Sequence, residues 1–204
     1  IPAFDPLSIP IAGTNLIEAS AGTGKTYGIA ALFTRLVVLE QMPVESILTV
    51  TFTKAATAEL KTRLRARLDE VLQALESVED TDNLSDDLEA YCRDNHPGDV
   101  FLTGLLKQAL AQESRARLIV RLKAAIGQFD NAAIYTIHGF CQRILRDYAF
   151  LCRAPMDVEL TEDSRDRLLI PAQDFWRDRI VNHPVLAKLV FQRRQTPQTM
   201  LAAI

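Results

Sequence analysis

Leu16-Ile17-Glu18-Ala19-Ser20-Ala21-Gly22-Thr23-Gly24-Lys25-Thr26 is the stretch whose reading decides the fold. Leu16 to Glu18 is a short apolar run that reads as a strand, and it feeds a turn built of small residues. From Lys25 the pattern turns helical: Ile29, Leu32, Phe33, Leu36 and Leu39 follow the 3.6 period, and the run ends near Gln41, ahead of Pro43. Glycines between a strand and a helix let the backbone curl around a phosphate. A following lysine reaches the outer phosphates, and a hydroxyl after it faces a bound Mg²⁺. Gly22 and Gly24 provide the curl, Lys25 the point charge and Thr26 the hydroxyl, while Ala19 stands where the usual pattern has its first glycine. A small-residue turn ending by chance in Gly-Lys-Thr would need no strand before it and no helix after it. This stretch has both, so it reads as a nucleotide-binding P-loop.

Working outward, residues 47–52 (Ile-Leu-Thr-Val-Thr-Phe) are β-branched and apolar, the pattern of a buried parallel strand. Residues 55–78 carry Leu60, Leu64, Leu68, Val71, Leu72 and Leu75 at helical spacing. Strand, helix, strand, helix predicts a βαβ unit, hence an α/β fold with a parallel sheet and a right-handed crossover. Two further helices are predicted at about 100–112 and 114–128, then a strand at 132–136 and a helix over 139–150. Past Pro155 the chain reads as helices, with Thr161 as an N-cap ahead of Glu162 and Asp163, and with Leu168, Leu169, Phe175 and Trp176 as apolar positions.

The 204 residues hold 23 basic and 26 acidic side chains, and 48% are hydrophobic. That composition excludes a disordered tail, a fibrous repeat and a disulfide-stapled miniprotein. A net charge of −3 would also argue against nucleic acid if it were spread evenly. It is not: residues 76–99 hold nine acids and one arginine, a local −8 that leaves +5 on the rest. The acidic segment is expected to be a solvated loop or exposed helix face. Residues 54–67 carry +4 through Lys54, Lys61, Arg63, Arg65 and Arg67 against Glu59, which suits phosphate contact or a solvated helix face. Cys92, Cys141 and Cys152 show no CxxC spacing and read as reduced thiols of a cytoplasmic protein. The longest apolar stretch, 30–39, is broken by Arg35, so no membrane partner is expected. The first residue is Ile and the last lies in an apolar run, which reads as part of a longer protein.

Two other blocks carry chemistry. Residues 50–60 (Val-Thr-Phe-Thr-Lys-Ala-Ala-Thr-Ala-Glu-Leu) are a strand ending in hydroxyls at a helix N-terminus. Such an end holds an anion, and Phe52 offers a face for a base. The alternatives are core packing for Phe52 and N-capping for Thr53. Residues 135–143 (Tyr-Thr-Ile-His-Gly-Phe-Cys-Gln-Arg) lead from a strand into a His-Gly turn. His138 has no ligand pattern around it and reads on its own as a hydrogen-bonded turn histidine.

The three blocks, in this order, resemble superfamily-one DNA helicases of the UvrD/Rep type, particularly their helicase–nuclease branch. The resemblance implies a P-loop RecA-like core over residues 1–150, with a helical insertion at about 76–128. Residues 151–204 would begin a helical subdomain. It implies that Ala19, Ser20, Ala21, Gly22, Thr23, Gly24, Lys25 and Thr26 bind ATP, with Lys25 and Thr26 catalytic and Thr26 meeting Mg²⁺ through the nucleotide. It implies contacts of Thr51, Phe52, Thr53, Thr136 and His138 with DNA, as single strand and duplex end, and companion subunits as partners; Lys54 and Arg63 join the DNA contacts through the basic stretch read above. Two features depart from the pattern. UvrD-type enzymes have an adenine-reading Gln before the P-loop, and here no Gln precedes Gln41. The Asp-Glu pair that follows an apolar strand is absent too, because Asp69-Glu70 falls inside a basic helix. These 204 residues alone are expected to bind ATP·Mg weakly and to hydrolyse it negligibly. Alternatives are a free-standing UvrD/Rep-like translocase, an AddA-type subunit, a small-molecule kinase, or a non-catalytic P-loop module that binds partner subunits.

Overall fold

A computed structural model of the chain describes residues 4–18, 24–79, 83–153 and 165–201. The chain divides into two compact units, Ile1–Arg143 and Ile144–Ile204.

In the first unit, α1 (Lys25–Val38) is followed by β1 (Thr49–Thr51) and the long α2 (Lys54–Glu76). Then come α3 (Leu84–Asn95), α4 (Val100–Gln112), α5 (Arg115–Gly127) and β2 (Ile134–Thr136), which runs straight into α6 (Ile137–Asp147). β1 and β2 pair in parallel, with Thr49, Val50 and Thr51 opposite Ile134, Tyr135 and Thr136. The chain is thus mainly helical, with a two-stranded parallel sheet among the described residues. That agrees with an α/β fold.

Leu16 to Glu18 departs from expectation. A strand exists through its neighbour's hydrogen bonds. No described residue pairs with this run, and Leu16 is 85% exposed, so the segment does not join the sheet.

The core lies on α2. Leu60, Leu64, Leu68, Val71 and Leu75 are buried, as their spacing predicts, on the helix that packs against α1, α3 and α5. Phe129, just before β2, is fully buried and meets Phe33 of α1 edge to face, with ring centroids 6.1 Å apart. In α1 the buried stripe is Ala30, Phe33, Thr34 and Val37, and Ile29 faces outward. The expected stripe was offset because α1 is covered on more than one side. Arg35 donates to the carbonyls of Pro6 and Ile9 (3.0 and 2.7 Å), and a Cβ on Gly28 would sit 3.0 Å from Phe4, so the 4–9 segment lies along the helix. At the far end of α1, Arg121 donates to the carbonyls of Val37 and Val38, where a cation complements the helix C-terminus.

The acidic 76–99 segment is not a solvated loop throughout. It forms α3, with Leu88 and Cys92 buried, and it ends at Asp99, whose carboxylate is drawn inward.

The second unit contains α7 (Ala149–Cys152), α8 (Arg165–Phe175), a π-helical turn at Trp176–Val181, α9 (Pro184–Gln192) and α10 (Pro197–Leu201). The expected cap at Thr161, with Glu162 and Asp163, lies outside the described residues. Leu168 and Phe175 are on α8 as expected but exposed. Among the described residues, no helix of the chain is long and apolar enough to cross a membrane.

Candidate nucleotide- and DNA-contacting site

α1 begins at Lys25, directly after the small-residue run of the sequence. Gly24 is its N-cap and adopts φ 83°, a left-handed conformation that glycine takes without strain. A Cβ there would meet only Tyr27 Cβ, at 4.0 Å, so the requirement for glycine is conformational. Lys25 and Thr26 follow in the first helical turn, which has no side-chain cap and no acidic residue. An α-helix starts with backbone N–H groups unused inside the helix and with the positive end of its dipole, an arrangement suited to an anion. Ala19, Ser20, Ala21, Gly22 and Thr23 lie outside the described residues.

The sheet gathers the second and third blocks. Thr51 and Thr136 are register partners at the last rung of the ladder, and each strand turns at once into a helix. The two junctions use the same device. Thr53 Oγ1 accepts the Ala56 N–H at 3.1 Å, and Thr136 Oγ1 accepts the Gly139 N–H at 3.0 Å. The Thr51 hydroxyl also meets that of Thr57 at 2.5 Å. Parallel strands put both junctions on one edge, the carboxyl edge where α/β folds bind ligands. Thr51, Phe52, Thr53, Lys54, Thr136 and His138 therefore share that edge. Phe52 is 86% exposed, which removes core packing as its role, whereas Thr53 does cap α2. His138 is exposed in the first turn of α6.

Arg63 stands apart. It lies nine residues along α2 from Lys54, about 13 Å of helix, and pairs with Glu59 at 2.6 Å. The basic stretch is likewise less open than its +4 suggests. Lys61 faces Asp130 at 3.7 Å, and Arg67 is buried, 8% exposed. Lys54 and Arg65 remain exposed.

Sequence reasoning missed a charged cluster behind α1. Arg67 Nη1 donates to Asp99 Oδ2 at 2.5 Å and to Glu70 Oε2 at 2.7 Å. Asp99 Oδ1 accepts the Leu102 N–H at 3.0 Å, capping α4, and the Tyr27 hydroxyl at 3.2 Å. The Arg67 guanidinium also stands over the rings of Tyr27 and Phe101, 5.7 and 5.3 Å from their centroids. Burial pushes the Asp99 carboxyl up, but Arg67, the Leu102 N–H and the Tyr27 hydroxyl outweigh it and hold the group below the usual carboxylate value. Burial pushes the Tyr27 phenol up, and the Asp99 charge adds to that. Nothing local marks these residues as partners, since Arg67 and Asp99 sit on different helices. Among the described residues no group of three or more His, Cys, Asp or Glu is placed to hold a metal.

Residues 6–200 match the family described as the UvrD/REP helicase N-terminal domain. Among curated relatives, the RecBCD enzyme subunit RecB of Haemophilus influenzae is 40% identical over 182 residues, covering 86% of this chain and 14% of that protein. The subunit of the same name from Escherichia coli is 38% identical over 210 residues, covering 98% and 16%. That of Mycolicibacterium smegmatis is 35% identical over 153 residues, covering 75% and 12%. The chain thus spans between 12% and 16% of the length of these three relatives.

Proposed function

The chain belongs to the UvrD/REP helicase N-terminal domain family, and from that premise we propose that it is the ATP-binding, DNA-contacting N-terminal part of an ATP-dependent DNA helicase subunit. Its fold is a P-loop RecA-like core, with residues 76–128 as a helical insertion and residues past 150 starting a helical subdomain. The full-length gene product translocates on DNA and unwinds it. It works in a helicase–nuclease for double-strand-break repair and recombination, with RecC-like and RecD-like subunits, and its exonuclease activity resides outside these residues. The printed name shared by the relatives supports this part of the reading.

The observation that carries the reading is the start of α1: Gly24 in the left-handed region, then Lys25 and Thr26 in an acid-free first turn. Those donors fit a nucleotide triphosphate with its Mg²⁺. The Lys25 ammonium would balance the charge of the outer phosphates, and the Thr26 hydroxyl would take the metal side. Bound Mg²⁺ supplies charge neutralisation at the γ-phosphate. At the carboxyl edge of the sheet, Thr51, Thr53 and Thr136 with the N-termini of α2 and α6 hold the DNA backbone. Phe52 stacks on a base, and Lys54, Arg63 and His138 complete the contact. Phosphoryl transfer also needs an acid to orient water, and Glu70, the acid of the Asp69-Glu70 pair nearest α1, is held by Arg67 in mid-helix.

The deciding measurement is the affinity of a fluorescent ATP analogue for the full-length gene product with and without Lys25→Ala. Loss of about tenfold or more is expected, since an ammonium–phosphate contact is a charge-assisted hydrogen bond. Equal affinity rejects the phosphate site. The 204 residues alone should show no burst of single-turnover hydrolysis; a robust burst would overturn the division of labour proposed here.

A further inference from the structure

The charged cluster behind α1 joins the two halves of the site. Tyr27 is the residue after Thr26, so its ring and hydroxyl move with the first turn of α1. Arg67 lies on α2, the same unbroken helix that begins at Lys54 and carries the Thr53 cap next to Phe52. Between them stands Asp99, the N-cap of α4 in the helical insertion. The path from Tyr27 to Arg67 is two hydrogen-bonded steps through one carboxylate, with the Tyr27 ring under the guanidinium as a second, direct contact. From Arg67 to Lys54, α2 is a rigid lever of about 20 Å.

Two features suit this cluster to transmit movement rather than only to hold the fold. Tyr27 is half exposed, 49%, so its hydroxyl bond adds little to the stability of the core. And Arg67 Nε and Nη2 are buried without a hydrogen-bond partner among the described residues. Buried donors are almost always satisfied. The buried guanidinium therefore has hydrogen-bonding capacity beyond its contacts with Asp99 and Glu70.

We propose that Tyr27, Asp99 and Arg67 are positioning residues that couple nucleotide binding at the start of α1 to DNA binding at the start of α2. The proposal rests on the nucleotide and DNA reading given above. Neither ligand touches the three side chains; they set how much one ligand changes the affinity for the other.

The test is a coupling measurement in the full-length gene product, with a non-hydrolysable ATP analogue plus Mg²⁺ and an oligothymidylate as probes. Each affinity is taken alone and in the presence of the other ligand, and the ratio is the coupling, equal in both directions by linkage. Tyr27→Phe keeps the ring and removes the hydroxyl. It should leave each separate affinity within about twofold and reduce the coupling at least threefold, against the roughly 5- to 150-fold range usual for such couplings. Asp99→Asn should reduce it further, and adding Tyr27→Phe to Asp99→Asn should cost nothing more, because residues in one network are non-additive. Arg67→Lys, which keeps the charge, should retain more coupling than Arg67→Met. Wild-type coupling in Tyr27→Phe overturns the proposal, as do additive losses. So does a parallel fall of both separate affinities at constant ratio, which is what a purely structural role gives. If Lys25→Ala leaves analogue binding intact, the nucleotide reading falls and the proposal with it. If Lys25→Ala abolishes binding while Tyr27→Phe keeps full coupling, only the proposal falls.

Discussion

Thr51 and Thr136 face each other across the last rung of the parallel ladder, and each stands next to a hydroxyl-capped helix start. The pairing brings together two segments 85 positions apart in sequence, with α2, α3, α4 and α5 between them. It makes one edge out of Phe52, Lys54 and His138. That edge lies at the start of α2, 13 residues ahead of Arg67 in the middle of the same helix.

Phe52 gives the cleanest probe of that edge. The side chain is almost fully solvated, so Phe52→Ala removes no core packing and should leave the urea midpoint unchanged. Stacking on an unpaired base is worth about 1–3 kcal/mol, so affinity for an oligothymidylate should fall between about 5- and 150-fold in a fluorescence anisotropy titration. A variant that binds like wild type would show that no base stacks there.

The Glu59–Arg63 pair bears on how open the basic face of α2 is. Both side chains are more than half exposed, so the 2.6 Å contact adds little stability. It does hold the Arg63 charge on the helix. Glu59→Gln should therefore raise DNA affinity and steepen its salt dependence by up to about one counterion, while Arg65→Ala should make the salt dependence shallower by about one. Unchanged slopes in both would place the DNA path away from α2.

The contrast between what local pattern reveals and what it hides is clear around α2. Its buried leucines follow from spacing alone, as do α4 and α5, because each presents one apolar stripe to one core. In α1 the pattern points one position astray at Ile29, since the helix is covered on several sides and nearly every position there is apolar. Leu16 to Glu18 looks like a strand by composition, yet pairing is a long-range property that composition does not contain. The hydroxyl cap at Thr53 is local and therefore legible, whereas the cap that Thr136 gives α6 was not read from the sequence. Tyr27 carries no such mark. Asp99 looks like one more solvated acid and Arg67 like one more phosphate contact, because their partnership crosses 32 residues and two helices.

Phe129 joins the segment ahead of β2 to α1. It is fully buried, opens the short turn five residues ahead of Ile134 and meets Phe33 edge to face. Phe129→Ala should cost about 3–5 kcal/mol in urea denaturation, as for other buried aromatic truncations. Loss of less than about 1 kcal/mol would mean that the site collapses around the smaller side chain.

Asp99 gives stability a defined dependence on pH. Its folded carboxyl is held below the ordinary value by Arg67, the Leu102 N–H and Tyr27, against the opposing push of burial. A group whose pKa is depressed on folding contributes stability above its unfolded value, about 3.9, and loses it as pH falls through the folded value. Wild type should therefore hold a constant advantage over Asp99→Asn from neutral pH down to about 5, and that advantage should shrink below about 4. Urea midpoints of both proteins across that range give the answer. An advantage that persists undiminished at pH 3 would mean that the Asp99 carboxylate is not what Arg67 and Tyr27 hold in the folded state.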